Sequence, residues 1–235
     1  MKLLKHFDFQ HMNALDLNDW TIVERKAWAN REIQVYVNHP KNLFFNQGLV
    51  LQATHENDVV ESVRIHTQDK FYFKYGRIDI VAKVPKGKGT WPAAWMMSQR
   101  ELHGGWPRSG EIDIMEHVGN RLDEWLCCLH TESHNHTTKS EYVSAFHVPG
   151  LSDDFQTYSI HWKQDSIEYL LNDQSMVTYH RGEDNRDASS KGWPFDDDDF
   201  YLILNLAIGG TLGGPVDFSM FPQQYIIKEI KIYQD

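Results

Sequence analysis

The chain has 235 residues, 41% of them hydrophobic, and a formal net charge of −10. That length can bury one sizeable core, so a single domain over residues 1–235 is expected, and an acidic field of this size disfavours phosphate backbones and anionic membranes. The expected partner is therefore neutral, with neither nucleic acid nor membrane involved.

Residues 1–10 and the later segments hold no uninterrupted apolar run of the kind that a secretory leader or a spanning helix requires. As written, the chain is expected to be cytoplasmic, or secreted or periplasmic if a leader was removed. Strand-like runs then follow one another at 33–37, 49–54, 70–84, 93–97, 111–118, 125–131, 142–147, 157–162, 166–171, 174–180, 200–208 and 225–233. Turn residues separate them and helical periodicity is nearly absent, which predicts an all-β antiparallel sandwich or jelly roll. Residues 166–180 read as a hairpin turning at Asn172 and Asp173. Cys127 and Cys128 are neighbours on a predicted strand, where successive side chains take opposite faces, so no disulfide joins them. The acidic run 196–199 is expected to be a solvated loop before a buried strand.

The run Gly110-Glu-Ile-Asp-Ile-Met-Glu116 carries the most information. On a strand, Glu111 and Asp113 share one face while Ile112 and Ile114 pack into the other. An edge strand with a solvated face shows the same alternation. Three features favour chemistry. Like charges two residues apart repel, which wastes stability unless shifted proton affinities are useful. Trp91, Trp95 and Trp106 supply flat surfaces suited to sugar rings. Retaining glycoside hydrolysis needs two carboxyl groups about 5–5.5 Å apart, one as nucleophile and one as acid and then base. Glu116 lies five positions after Glu111, so strict alternation turns it to the wrong face, roughly 16 Å away along a straight strand. A β-bulge at Ile114 and Met115 is therefore required to return it to the acidic face. In this reading Glu111 is ionised and attacks the anomeric carbon, Glu116 begins protonated, and Asp113 shares a proton with Glu111.

The runs Val84-Pro-Lys-Gly-Lys-Gly-Thr-Trp-Pro-Ala-Ala-Trp-Met-Met97 and Trp106-Pro-Arg-Ser-Gly-Glu-Ile-Asp-Ile-Met-Glu-His-Val-Gly119 resemble the hallmark of glycoside hydrolase family 16, in particular its laminarinase-like endo-β-1,3-glucanases. Further pieces at 30–36, 130–136, 193–195, 202–210 and 230–234 extend the resemblance over nearly the whole chain. It implies a β-jelly-roll sandwich of two antiparallel sheets with a concave substrate groove, Glu111 as nucleophile, Asp113 as its assistant and Glu116 as acid/base. It also implies sugar subsites lined by Trp91, Trp95 and Trp106, with His130 reaching the acid/base end and Asn30 and Asn135 bonding sugar hydroxyls. Trp95 could equally serve packing.

The implied reaction is endo-hydrolysis of β-1,3-glucosidic bonds in a neutral, laminarin-like glucan, with retention, by a monomer that needs no cofactor. Mixed-linkage β-1,3-1,4-glucan or an algal galactan would use the same carboxylates. A glycan-binding sandwich without catalysis is the alternative from another class, but three crowded acids have no use there. His130, His134 and His136 lack a matching carboxylate shell, and no zinc is expected on them. The resemblance also implies a structural calcium ion held by an acidic opening and a C-terminal aspartate. Here the opening offers only Asp8, and Lys228 stands at the aspartate position. An ammonium has no lone pair to offer and repels the ion, so calcium is expected to be lost or weakly held. By the same resemblance Leu212 stands where many laminarinases carry tryptophan, which is expected to weaken a distal subsite or change the preferred chain.

Overall fold

The computed structural model describes residues 1–234. In chain order the strands are β1 (Lys2–Asp8), β2 (Thr21–Ile22), β3 (Arg25–Lys26), β4 (Val35–Tyr36), β5 (Leu43–Phe45), β6 (Leu49–Glu56), β7 (Val59–Ser62), β8 (Arg64–His66), β9 (Tyr72–Phe73) and β10 (Gly76–Lys83). They continue as β11 (Thr90–Ser98), β12 (Glu111–Glu116), β13 (Glu124–His130), β14 (Tyr142–His147), β15 (Gln156–Lys163), β16 (Ser166–Leu171), β17 (Gln174–His180), β18 (Phe200–Ile208) and β19 (Gln223–Gln234). One helical turn, α1 (Gly210–Gly213), follows β18.

These strands form two sheets, as the jelly-roll expectation requires. The eleven-stranded sheet runs β17-β16-β15-β10-β19-β6-β7-β4-β3, with β1 added on β19 and β5 on β6. The eight-stranded sheet runs β14-β13-β12-β11-β18-β8-β2, with β9 added on β18. The ladders on either side of β11, β12 and β13 are all antiparallel.

Alternation in the sequence sets which side chains meet between the sheets. Ile78 and Ile80 of β10 and Ile230 and Ile232 of β19 join Ile112 and Ile114 of β12 and Leu204 and Leu206 of β18 in one core. Each such fully buried side chain contributes roughly 1.5–3 kcal/mol relative to exposure. β18 is buried along its whole length. Its leucines face the core, while Asn205 and Ala207 form part of a groove floor on the opposite face.

Several expected boundaries shift. The run 70–84 divides into β9 and β10 at Tyr75, whose φ is 61°, and at Gly76, whose φ is 104°. A Cβ on Gly76 would stand 2.0 Å from the Tyr233 carbonyl oxygen, so only glycine lets β10 begin so close to β19. The hairpin of β16 and β17 does turn at Asn172 and Asp173, with positive φ at both and Leu171 paired to Gln174, the geometry of a two-residue turn. The acidic run is not simply solvated. Asp198 is buried and accepts from Ser98 Oγ at 2.6 Å and from Arg100 N and Nε at 2.7 Å each. Burial alone would push its carboxyl up, but these hydrogen bonds prevail and hold it low.

Lys228 is the extra residue of a bulge in β19, where Glu229 pairs with Val81 and Ile227 with Ala82. Its Nζ lies 3.8 Å over the Phe155 ring. An ammonium held on an aromatic face supplies no oxygen ligand, so the residue at this position does not fit a calcium ion. Treatment with a calcium chelator is accordingly expected to leave the melting temperature unchanged in a thermal unfolding scan; a drop of several degrees would contradict this.

Candidate active site

The central strands of the eight-stranded sheet supply the groove by parity. On β11, Trp91, Ala93, Trp95 and Met97 face the groove, and the intervening Ala94 and Met96 face the core. On β12, Glu111 and Asp113 face the groove opposite Ile112 and Ile114. A regular strand would then bury Glu116. The ladder prevents this, because Asp113 pairs with Cys128 and Glu116 with Leu126, so Ile114 and Met115 together oppose the single residue Cys127. On the other side Trp95 pairs with Asp113 and Ala94 with Met115, leaving Ile114 as the inserted residue. Ile114 and Met115 both pack into the core, and Glu116 emerges in the groove beside Glu111 and Asp113. The bulge anticipated from the spacing is thus present.

Hydrogen bonds orient the walls. Trp91 donates its indole N–H to Glu116 Oε1 at 2.9 Å. Trp95 donates to Asn205 Oδ1 at 2.7 Å, and the Asn205 amide donates to the Tyr36 hydroxyl oxygen at 3.2 Å. Trp106 is well exposed and inclines over His136, with ring centroids 5.0 Å apart. The groove has a volume of about 340 Å3.

Burial raises the proton affinity of all three acids. The Glu116 carboxyl, desolvated and facing Glu111, is pushed up to about 7 in spite of the Trp91 hydrogen bond. Asp113 is raised well above the usual carboxylate range, first by burial and then by the charge of Glu116. Glu111 is also raised well above its ordinary value by burial and by Asp113, against the opposing influence of His130 and a hydrogen bond from Trp106. Glu111 and Asp113 share one face of the strand, and each bears on the other's proton affinity. Two ionised carboxylates are both acceptors, so a hydrogen bond between these two would require a proton on one of them. The expectation of an ionised Glu111 beside a protonated Glu116 thus meets a site in which burial raises the proton affinity of all three acids.

Of the anticipated sugar-binding residues, Trp91, Trp95, Trp106 and Asn30 line the groove. Asn30 has a φ of 54° and its amide donates to Glu32 Oε1 at 3.3 Å. His130 was expected at the acid/base end, but the register pairs it with Glu111, and its Nε2 lies 3.4 Å from Asp113 Oδ2. It therefore stands at the Glu111 end, because an antiparallel ladder puts Leu126, not His130, opposite Glu116. Asn135 is corrected outright. It is buried, its amide donates to the carbonyls of Thr131 and Glu132, and its oxygen accepts from Thr137, so it braces the 131–140 loop and has no group left for a sugar. His134 turns its ring to Tyr142 and does not join His130 and His136.

Sequence reasoning missed Trp28, Glu32, Arg64 and Asn205. Asn205 carried a signal, a lone amide at a groove-facing position between Leu204 and Leu206. Trp28 stacks on Arg25 and Arg64, with guanidinium carbons 4.1 and 4.9 Å from its ring centroid, and Arg64 also reaches Trp95 at 4.8 Å. Trp28 and Glu32 lie in the connection between β3 and β4, and Arg64 begins the three-residue strand β8, where no periodic pattern announces them.

Residues 27–201 match the family described as Glycosyl hydrolases family 16. The chain belongs to that family. It is 35% identical to a beta-glucanase of Rhodothermus marinus over 97% of this chain and 83% of that protein. The solved laminarinase of Rhodothermus marinus superposes with a TM-score of 0.93 at 33% identity, covering 99% of this chain and 97% of the other. The laminarinase of Flavobacterium sp. UMI-01 superposes with a TM-score of 0.91 at 34% identity over 99% and 100% of the two chains. The fold is thus the jelly roll of this family, and the chain is a glycoside hydrolase.

The raised acids have a consequence for stability. Glu116 binds its proton up to about pH 7 in the folded protein, whereas the unfolded carboxyl ionises near 4.5. Between those values folding carries a growing penalty, reaching on the order of 3 kcal/mol above pH 7. Glu116→Gln removes it, so the variant is expected to be more stable than the parent at about pH 8 and to lose that advantage by about pH 4 in urea unfolding. An equal gain at both pH values, or a loss at the higher one, would contradict the assignment.

Proposed function

We propose that the enzyme hydrolyses internal β-1,3-glucosidic bonds of a neutral, laminarin-like glucan with retention of configuration. The observation that carries this reading is the bulge in β12, which presents Glu111 and Glu116 together in a groove walled by Trp91, Trp95 and Trp106. The names of the similar beta-glucanase and laminarinases support the substrate class.

In the first step the Glu111 carboxylate attacks the anomeric carbon, the glycosidic C–O bond breaks, and Glu116 gives its proton to the departing oxygen. A carboxyl with a pKa of about 7 is protonated enough to do so and ionised enough afterwards to act as a base. In the second step Glu116 takes a proton from water, whose oxygen attacks the same carbon and releases Glu111 from its ester. The Trp91 hydrogen bond occupies Glu116 Oε1 and leaves Oε2 to face the leaving oxygen. Asp113 lends its proton to Glu111 as that group regains charge.

Leu212 gives some weight to a mixed-linkage glucan. It lies half-buried on α1, which packs against the base of Trp91, and offers no flat face to a distant sugar. Glu111→Ala and Glu116→Gln are each expected to lower hydrolysis of laminarin at least about 100-fold with the fold intact, whereas Asp113→Asn should lower kcat more than it raises KM. Activity within tenfold of the parent in either glutamate variant would reject the roles. A digest of laminarin, mixed-linkage glucan and agarose should yield short oligosaccharides from the β-glucans; cleavage of the galactan alone would overturn the substrate.

A further inference from the structure

Beneath the carboxylates, β12 and β13 gather a second set of donor atoms. Directly opposed residues on neighbouring strands share a face, and the register opposes Glu111 to His130 and Asp113 to Cys128. Cys128 therefore points towards the acids, while Cys127 belongs to the core on the other side. Cys128 Sγ lies 3.4 Å from His130 Nε2, which lies 3.4 Å from Asp113 Oδ2. One donor atom from each of the three residues falls within 4.8 Å of the others. Asp113, Cys128 and His130 are only 3%, 3% and 7% exposed. Asp113 Oδ2 nevertheless accepts no hydrogen bond among the described residues, and His130 Nδ1 has none either.

A buried carboxylate oxygen that makes no hydrogen bond and whose neighbouring imidazole nitrogen stands 3.4 Å off is poorly compensated, and a cation would relieve it. The spacing suits one kind of cation. Zinc binds thiolate at about 2.3 Å and imidazole or carboxylate at about 2.0–2.1 Å, so neighbouring ligand atoms on a tetrahedron stand about 3.3–3.5 Å apart. Two of the three edges here already have that length, and rotation of the carboxylate can close the third. Asp113 also lines the groove, which gives an ion an entry path and leaves the fourth position facing solvent or Glu111.

We propose that Asp113, Cys128 and His130 form a binding site for a zinc-class divalent cation, and that an ion bound there halts hydrolysis by taking Asp113 from Glu111. On binding, the Cys128 S–H bond breaks, its proton passes to solvent and the thiolate sulfur bonds the metal; no electron transfer is involved. A thiolate and an imidazole select zinc and cadmium over magnesium and calcium. Metal binding does not depend on the proposed reaction, so it has a readout of its own.

The test uses the intact protein in chelator-free buffer, with Cys128→Ala, Cys128→Ser and Cys127→Ala as variants whose folding is verified by thermal unfolding. Cadmium is titrated while the ultraviolet thiolate-to-metal charge-transfer band is recorded, and zinc is titrated into a glucan hydrolysis assay with each variant compared with its own metal-free rate. The expected result is a saturable band and zinc inhibition in the parent and in Cys127→Ala, with no effect of magnesium. In both Cys128 variants the band should vanish, and half-inhibition should need at least about tenfold more zinc. Absence of the band in the folded parent, unchanged zinc inhibition in the Cys128 variants, or loss of the band in Cys127→Ala instead would overturn the proposal.

Discussion

Trp125 donates its indole N–H to the carbonyl of Ile114 at 3.2 Å, deep between the sheets, and so gives a partner to the residue that β12 carries in excess over β11. Leaving that carbonyl buried and unpaired would cost about 1–3 kcal/mol. With it satisfied, the strand can hold two consecutive core residues, Ile114 and Met115, and change parity between Asp113 and Glu116. Without the inserted residue's extra step, the five-residue separation would aim Glu116 into the isoleucine layer. The chemistry of the groove thus depends on a local break in alternation, and the rest of the sandwich serves to keep that break in place.

The electrostatics follow from the same geometry. Three acids on one face of a buried strand cannot all ionise cheaply, and desolvation raises the proton affinity of each of them. The penalty is tolerated because a glycosidase needs one carboxyl that is protonated near neutrality and another that is charged. Trp91 works against the rise by donating to Glu116, and His130, which pairs with Glu111 across the ladder, opposes it at both glutamates. The two ends of the trio therefore differ in environment, since Trp91 donates to Glu116 alone and His130 stands opposite Glu111.

Much of this was legible in residue order. Alternation in 78–82, 93–97 and 200–208 reports strands that pack on one face, and the carboxylate spacing alone demands a bulge. The turn at Asn172 and Asp173 was readable because those residue types tolerate the positive φ they adopt. β1 escaped notice because it is an exposed edge strand whose lysines and leucines do not alternate cleanly. Asn135 misled because an amide beside histidines looks the same in sequence whether it meets a sugar or braces its own loop. Trp28, Glu32 and Arg64 reach the groove through loops and short strands, where residue type carries no direction. The fate of Asp198 was likewise invisible, since its burial depends on Arg100 and Ser98 arriving from β11 and the turn beyond it.

The central claim is that Glu111 forms a covalent bond to the sugar while Glu116 handles the proton. It can be read directly by incubating the protein with a slow fluorinated β-1,3-glucoside and locating any added mass by peptide fragmentation. The account predicts a single glycosyl group esterified to Glu111, absent after Glu111→Ala. An adduct on Glu116, or turnover that inverts the anomeric centre with no adduct at all, would contradict it.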